Sequence, residues 1–110
     1  MLNPRFNLWI EKDGAVVISR WRSRLLRAID ETGSITAAAA ALKVPYRRAW
    51  ERIQEMERSL DEKLVSTEIG GSHGGGAELT PSGKQLLERF EDFARGFDQE
   101  IDARFNEVFG

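Results

Sequence analysis

The stretch from Ile29 to Leu60, IDETGSITAAAAALKVPYRRAWERIQEMERSL, constrains the fold most, because it reads as two short helices around a joint of only a few residues. Gly33 suits the end of an incoming helix, and Ser34 suits the start of the next by accepting a hydrogen bond from a free backbone N–H. Ala37 to Ala41 keep that second helix slim, so that another helix can cross it closely. Lys43-Val44-Pro45 then breaks the run, since Pro45 disfavours helical geometry at Val44 yet fits the first positions of a new helix. This is helix-turn-helix grammar, in which one helix braces and its successor presents its N-terminal side chains outward.

With 110 residues, the chain is expected to form one domain, residues 1–110, large enough for a core without staples. It has no cysteine, so a disulfide framework and a thiolate metal site are both excluded, and a reducing cytoplasm suits it. Residues 1 to 10 hold no apolar run of signal-peptide length, and no stretch approaches the roughly 20 apolar residues that span a bilayer. The expectation is a soluble, cytoplasmic chain without membrane contact. Net charge is -2, unevenly placed: residues 1 to 60 hold 11 Lys or Arg against 7 Asp or Glu, and residues 61 to 110 hold 5 against 11. A phosphate backbone responds within a Debye length of about 8 Å to the local patch, so the acidic total does not exclude DNA.

Upstream, Phe6, Leu8 and Ile10 alternate with Asn7, Trp9 and Glu11 through Lys12, and Asp13-Gly14 supplies a hairpin turn before Ala15 to Ile18. Ser19 can cap a helix through Thr32, with Trp21, Leu25, Ala28 and Ile29 on its apolar face and Arg20, Arg24 and Arg27 on a face expected to meet water. Downstream, Leu64 to Ile69 and Ala77 to Leu79 read as two short strands joined by the glycine-rich Gly70 to Gly76, a wing over about 64–79. That loop lacks the Gly-Lys-Ser/Thr ending of a nucleotide-binding loop, so its bare N–H groups are read as touching DNA.

From Thr80, a cap followed by Pro81, a last helix is expected over about 80–109. Its apolar residues run through Phe90, Phe93, Phe97, Ile101 and Phe105, and its other flank carries Glu88, Glu91, Asp92, Asp98, Glu100 and Asp102. Such a helix outreaches a domain of this size, so its far apolar face implies a second copy, with Phe90, Phe93, Phe97, Ile101 and Phe105 as the dimer interface. The fold class is mainly α with small β-hairpins: a winged helix-turn-helix with a leading hairpin and a long dimerisation helix.

Function is concentrated in the helix from about Tyr46 to Leu60, the second of the pair spanning about 34–60. Ala49, Ile53, Met56 and Leu60 form its inward stripe, and Trp50, on the margin, reads as a core or interface residue rather than a base contact. Arg47 and Arg48 can each chelate guanine O6 and N7, and Glu51 can accept from cytosine N4. The two arginines point about 100° apart, so one reads a base while the other grips phosphate, with the order open. The candidate DNA contacts are Ser34, Thr36, Lys43, Pro45, Tyr46, Arg47, Arg48, Glu51, Arg52, Gly71, Ser72, His73, Gly74 and Gly75. His73, the single histidine, has no cysteine or second histidine to share a metal, so no metal and no cofactor is expected.

From Leu25 to about Phe90, the sequence resembles the winged helix-turn-helix domain shared by LysR-type and ModE-type bacterial transcription regulators. Gly33-Ser34-Ile35-Thr36-Ala37-Ala38 with Leu42, and Leu79-Thr80-Pro81-Ser82-Gly83, carry the likeness to both. Tyr46-Arg47-Arg48-Ala49-Trp50, the wing glycines and the leading hairpin favour the ModE type. The resemblance implies a homodimer that binds double-stranded DNA through Tyr46, Arg47, Arg48 and the wing. ModE-type regulators usually continue into small β-domains that bind molybdate; residues 1–110 include none, so molybdate binding is not expected within them. The resulting expectation is a sequence-specific transcriptional regulator, not an enzyme. The alternative is a winged-helix protein-interaction module, or a DNA-binding subunit serving a separate sensor.

Overall fold

The computed structural model describes residues 1–68 and 76–110. The expected wing-tip contacts Gly71, Ser72, His73, Gly74 and Gly75 lie outside the described residues.

The chain opens with strands β1 (Trp9–Lys12) and β2 (Ala15–Ser19), paired antiparallel. Asp13 and Gly14 turn between them with φ of 54° and 82°, the doubly positive geometry for which Asp-Gly is suited. The pairing shifts between Ile10 and Glu11, so β2 carries an extra residue, and this bulge lets the neighbours Val17 and Ile18 both be buried. The ladder starts at Trp9 rather than Phe6, and Ile10 is exposed rather than inward. Leu8 lies before the ladder and packs against the core.

Helix α1 (Arg20–Thr32) begins where Ser19 Oγ accepts from Arg22 N at 3.1 Å and ends at Gly33, whose φ of 71° lets its N–H donate to Ile29 O. Helix α2 (Ile35–Ala41) starts on Ser34, which accepts from Ala37 N at 3.1 Å. Lys43 takes φ 58° at the joint, with Lys43 N donating to Ala40 O and Val44 N to Ala39 O, the paired bonds of a Schellman close. Pro45 in extended geometry then opens α3 (Tyr46–Leu60), and Ala38, Ala39 and Ala49 are all buried where α2 and α3 lie close.

Strands β3 (Val65–Glu68) and β4 (Gly76–Leu79) pair antiparallel from Val65 opposite Leu79 to Glu68 opposite Gly76. The base of this wing is fastened twice. The Glu57 carboxylate of α3 accepts from Leu64 N at 2.8 Å and Val65 N at 3.2 Å, while Ala77 N donates to Gly33 O at 2.9 Å. Helix α4 (Pro81–Phe109) follows, with Thr80 Oγ1 accepting from Gly83 N and donating to Lys63 O. Gly83 passes so near the chain that a Cβ there would lie 2.2 Å from Leu64 O.

Leu25, Leu26, Ile29, Ile53, Met56, Leu64, Leu87 and Phe90 form the centre of one core shared by the helices and the wing. Ala94 is the last fully buried residue of α4, in a molecule measuring 55 × 32 × 22 Å. The α1 arginine face does not simply meet water. Arg20 reaches Asp98 at 2.6 Å, lying over the Phe6 ring, and Arg27 pairs with Glu91, whose hydrogen bond holds its guanidinium above the ordinary value. Two members of the expected solvent-facing acidic flank therefore fasten α4 to α1, because the crossing of the helices sets complementary charges opposite each other.

Candidate nucleic-acid interface

With about 100° per residue, the buried Ala49, Ile53 and Met56 define the inward side of α3, and Arg47, Glu51, Gln54 and Arg58 fall opposite them. Arg47 stands at the outermost N-terminal point with its side chain 89% exposed. Its Nε donates to Glu51 Oε1 at 3.0 Å, an open i,i+4 pair of the kind worth about 0.2–1 kcal/mol, easily exchanged for another anion. Arg48 is exposed on the flank toward α1 and makes no ion pair among the described residues.

Arg52, an expected DNA contact, is engaged within the protein. It is half-buried and donates to Glu55 Oε1 at 2.9 Å, while Glu55 Oε2 accepts from Arg22 at 2.8 Å. Arg22 also donates to the Val16 and Val17 carbonyls of the leading hairpin. Burial pushes the Arg22 guanidinium below its ordinary value, and Glu55 opposes that shift. The carboxylate thus ties α3 to α1 and β2, and Arg52 is held in that network rather than standing free.

Around the N-terminus of α3, Thr36, Lys43, Pro45 and Tyr46 are exposed, and Ser34 is half-buried with its hydroxyl engaged as a cap. These residues and Arg47 and Arg48 come from the start of α2, the joint and the first turn of α3. Trp50 is 45% exposed, so the chain's own core does not enclose it among the described residues. Gln54 and Arg58 share the outward face of α3, a placement that helical spacing already allowed.

The five residues expected at a dimer interface divide. Phe90 is 2% exposed inside the chain's own core, where α4 crosses α1, so it offers a second copy nothing. Phe93 and Phe97 are exposed and stack edge to face at 4.8 Å, and Ile101 and Phe105 are half-buried, Phe105 lying against Phe109. Among the described residues, no group of His, Cys, Asp and Glu is arranged to hold a metal, and no helix is long and apolar enough to cross a membrane.

A braced helix pair with an exposed N-terminal arginine corner, a hairpin wing and a long trailing helix defines a winged helix-turn-helix protein. Residues 22–84 match the profile of the bacterial regulatory helix-turn-helix proteins, lysR family, and the chain belongs to that family. It is 34% identical over 104 residues to the molybdenum transport protein ModE of Azotobacter vinelandii, covering 92% of this chain and 38% of that protein. It is 35% identical over 91 residues to the transcriptional regulator ModE of Haemophilus influenzae, covering 83% and 36%. The chain thus spans a little over a third of the length of these relatives. Its fold is similar to that in the crystal structure of the CbnR_DBD–DNA complex, with a TM-score of 0.58, 27% identity, and coverage of 76% of this chain and 95% of that one.

Proposed function

We propose that this chain, acting as one unit, is a sequence-specific DNA-binding module of bacterial transcription regulation, working in the cytoplasm as a homodimer and without catalysis. The single observation that carries the reading is Arg47, almost fully exposed at the first turn of α3 and pointing directly away from the core. In this fold class that turn enters the major groove and meets base edges. Arg47 is assigned the base, with Glu51 and Arg47 exchanging their mutual bond for cytosine and guanine partners. Arg48, on the flank, is assigned a phosphate, with Lys43, Thr36 and the wing holding the backbone.

The apolar face of α4 from Phe93 onward supports pairing with a second copy through Phe93, Phe97, Ile101 and Phe105. The family match and the DNA complex of a chain of similar fold support a duplex as the ligand. Molybdate is not assigned a site within these residues, although a relative carries molybdenum in its name. Selection of random duplexes by the purified chain, with and without molybdate, tests the reading. Recovery of an inverted repeat is expected in both conditions; recovery of no preferred sequence overturns the proposal, and a repeat recovered only with molybdate overturns the oxyanion part.

A further inference from the structure

Tyr46 and Trp50 stand one turn apart on α3, 49% and 45% exposed, while the inward stripe of that helix is already filled by Ala49, Ile53 and Met56. Tyr46, Trp50 and Glu57 fall within about 40° of one another around the axis. Glu57 is bonded to Leu64 and Val65, so this stripe is the flank of α3 that faces the base of the wing. The opposite flank holds Arg48, Arg52 and Glu55. The exposed surface of α3 is therefore lopsided: aromatic toward the wing, cationic toward α1, with Arg47 between them.

We infer that Tyr46 and Trp50 form an apolar contact for thymine methyl groups, making them specificity determinants distinct from the guanidinium readers. The inference rests on the proposed entry of α3 into the major groove. The C5-methyl of thymine is the apolar group that the groove displays on a base edge, and the two rings offer it apolar surface even where the Tyr46 hydroxyl reaches a phosphate. Arg47, exposed next to the aromatic flank, and the exposed Lys43 at the joint give the ridge a cationic border that fits a polyanion better than an apolar protein face.

The test begins with a duplex selected by the full chain, in which each thymine is replaced singly by deoxyuridine, removing only the methyl. Affinities are measured by fluorescence anisotropy at one salt concentration. For the unaltered protein, uracil at one or two positions should weaken binding roughly fourfold per lost methyl contact. Trp50→Ala should bind the thymine and uracil duplexes equally and keep its Arg47-dependent preference; Trp50→Phe, which retains a ring, should keep part of the methyl dependence and guards against misfolding of the alanine variant. Indifference of the unaltered protein to every uracil overturns the inference, as does full methyl dependence in Trp50→Ala. Failure to select any duplex overturns the underlying DNA reading, whereas a selected duplex without methyl dependence overturns this inference alone.

Discussion

Arg47 and Arg48 are adjacent in sequence and differ in surroundings, so their alanine variants should fail differently. Arg47→Ala is expected to cost about 1–3 kcal/mol on the preferred duplex and to relax preference at one base pair in a competition assay. Arg48→Ala should weaken all duplexes about equally and reduce the log–log salt slope by about 0.9, the loss of one phosphate contact. Lys43 holds a left-handed conformation that costs an L-residue about 1–2 kcal/mol, so Lys43→Gly should raise thermal stability by up to about 1 kcal/mol while lowering duplex affinity. The Lys-Val-Pro break and the separation of the two arginines were legible in sequence. Their different surroundings were not, because helical spacing fixes angles on α3 but not which flank Arg22 and the leading hairpin approach. Trp50 shows the same gap: its distance from the apolar stripe was visible, but how far the chain's own core would enclose it was not.

The element boundaries followed from short-range chemistry that sequence displays directly. Ser19, Ser34 and Thr80 cap the helices expected of them, and Asp13-Gly14 turns the leading hairpin as expected. The fastenings between elements were hidden, since Arg27 with Glu91 and Arg20 with Asp98 are 64 and 78 residues apart. Gly83 is the tightest of these junctions. Gly83→Ala would drive a methyl into the Leu64 carbonyl and should cost about 1–3 kcal/mol, or more if the start of α4 cannot shift, as read by urea unfolding. Removing Glu55 leaves Arg22 largely covered without its carboxylate. Glu55→Ala should therefore cost about 1.5–3 kcal/mol of stability, near the worth of hydrogen bonds to a charged group, before any effect on DNA is considered.

At the scale of the molecule, α4 has 29 residues and so runs roughly 44 Å, most of the 55 Å long axis, while its last buried residue is Ala94. Its excess length was legible from the apolar spacing; the inward position of Phe90 was not, because one continuous stripe runs from the core into exposed surface and spacing does not mark where the change falls. Replacing Phe97 and Ile101 with Glu should give a folded monomer in sedimentation that binds a single half-site weakly. Phe90→Ala should instead unfold the chain at lower temperature, since the cavity it leaves costs about 3–5 kcal/mol.

The inward ties of Arg20, Arg22 and Arg27 also bear on how the protein behaves among the vast excess of irrelevant chromosome. Under the proposed function, cations committed to internal carboxylates should lend little adhesion to arbitrary duplex, keeping background occupancy low without an extreme affinity at the preferred site. Selectivity then arises as much from what the molecule declines to hold as from what it grasps.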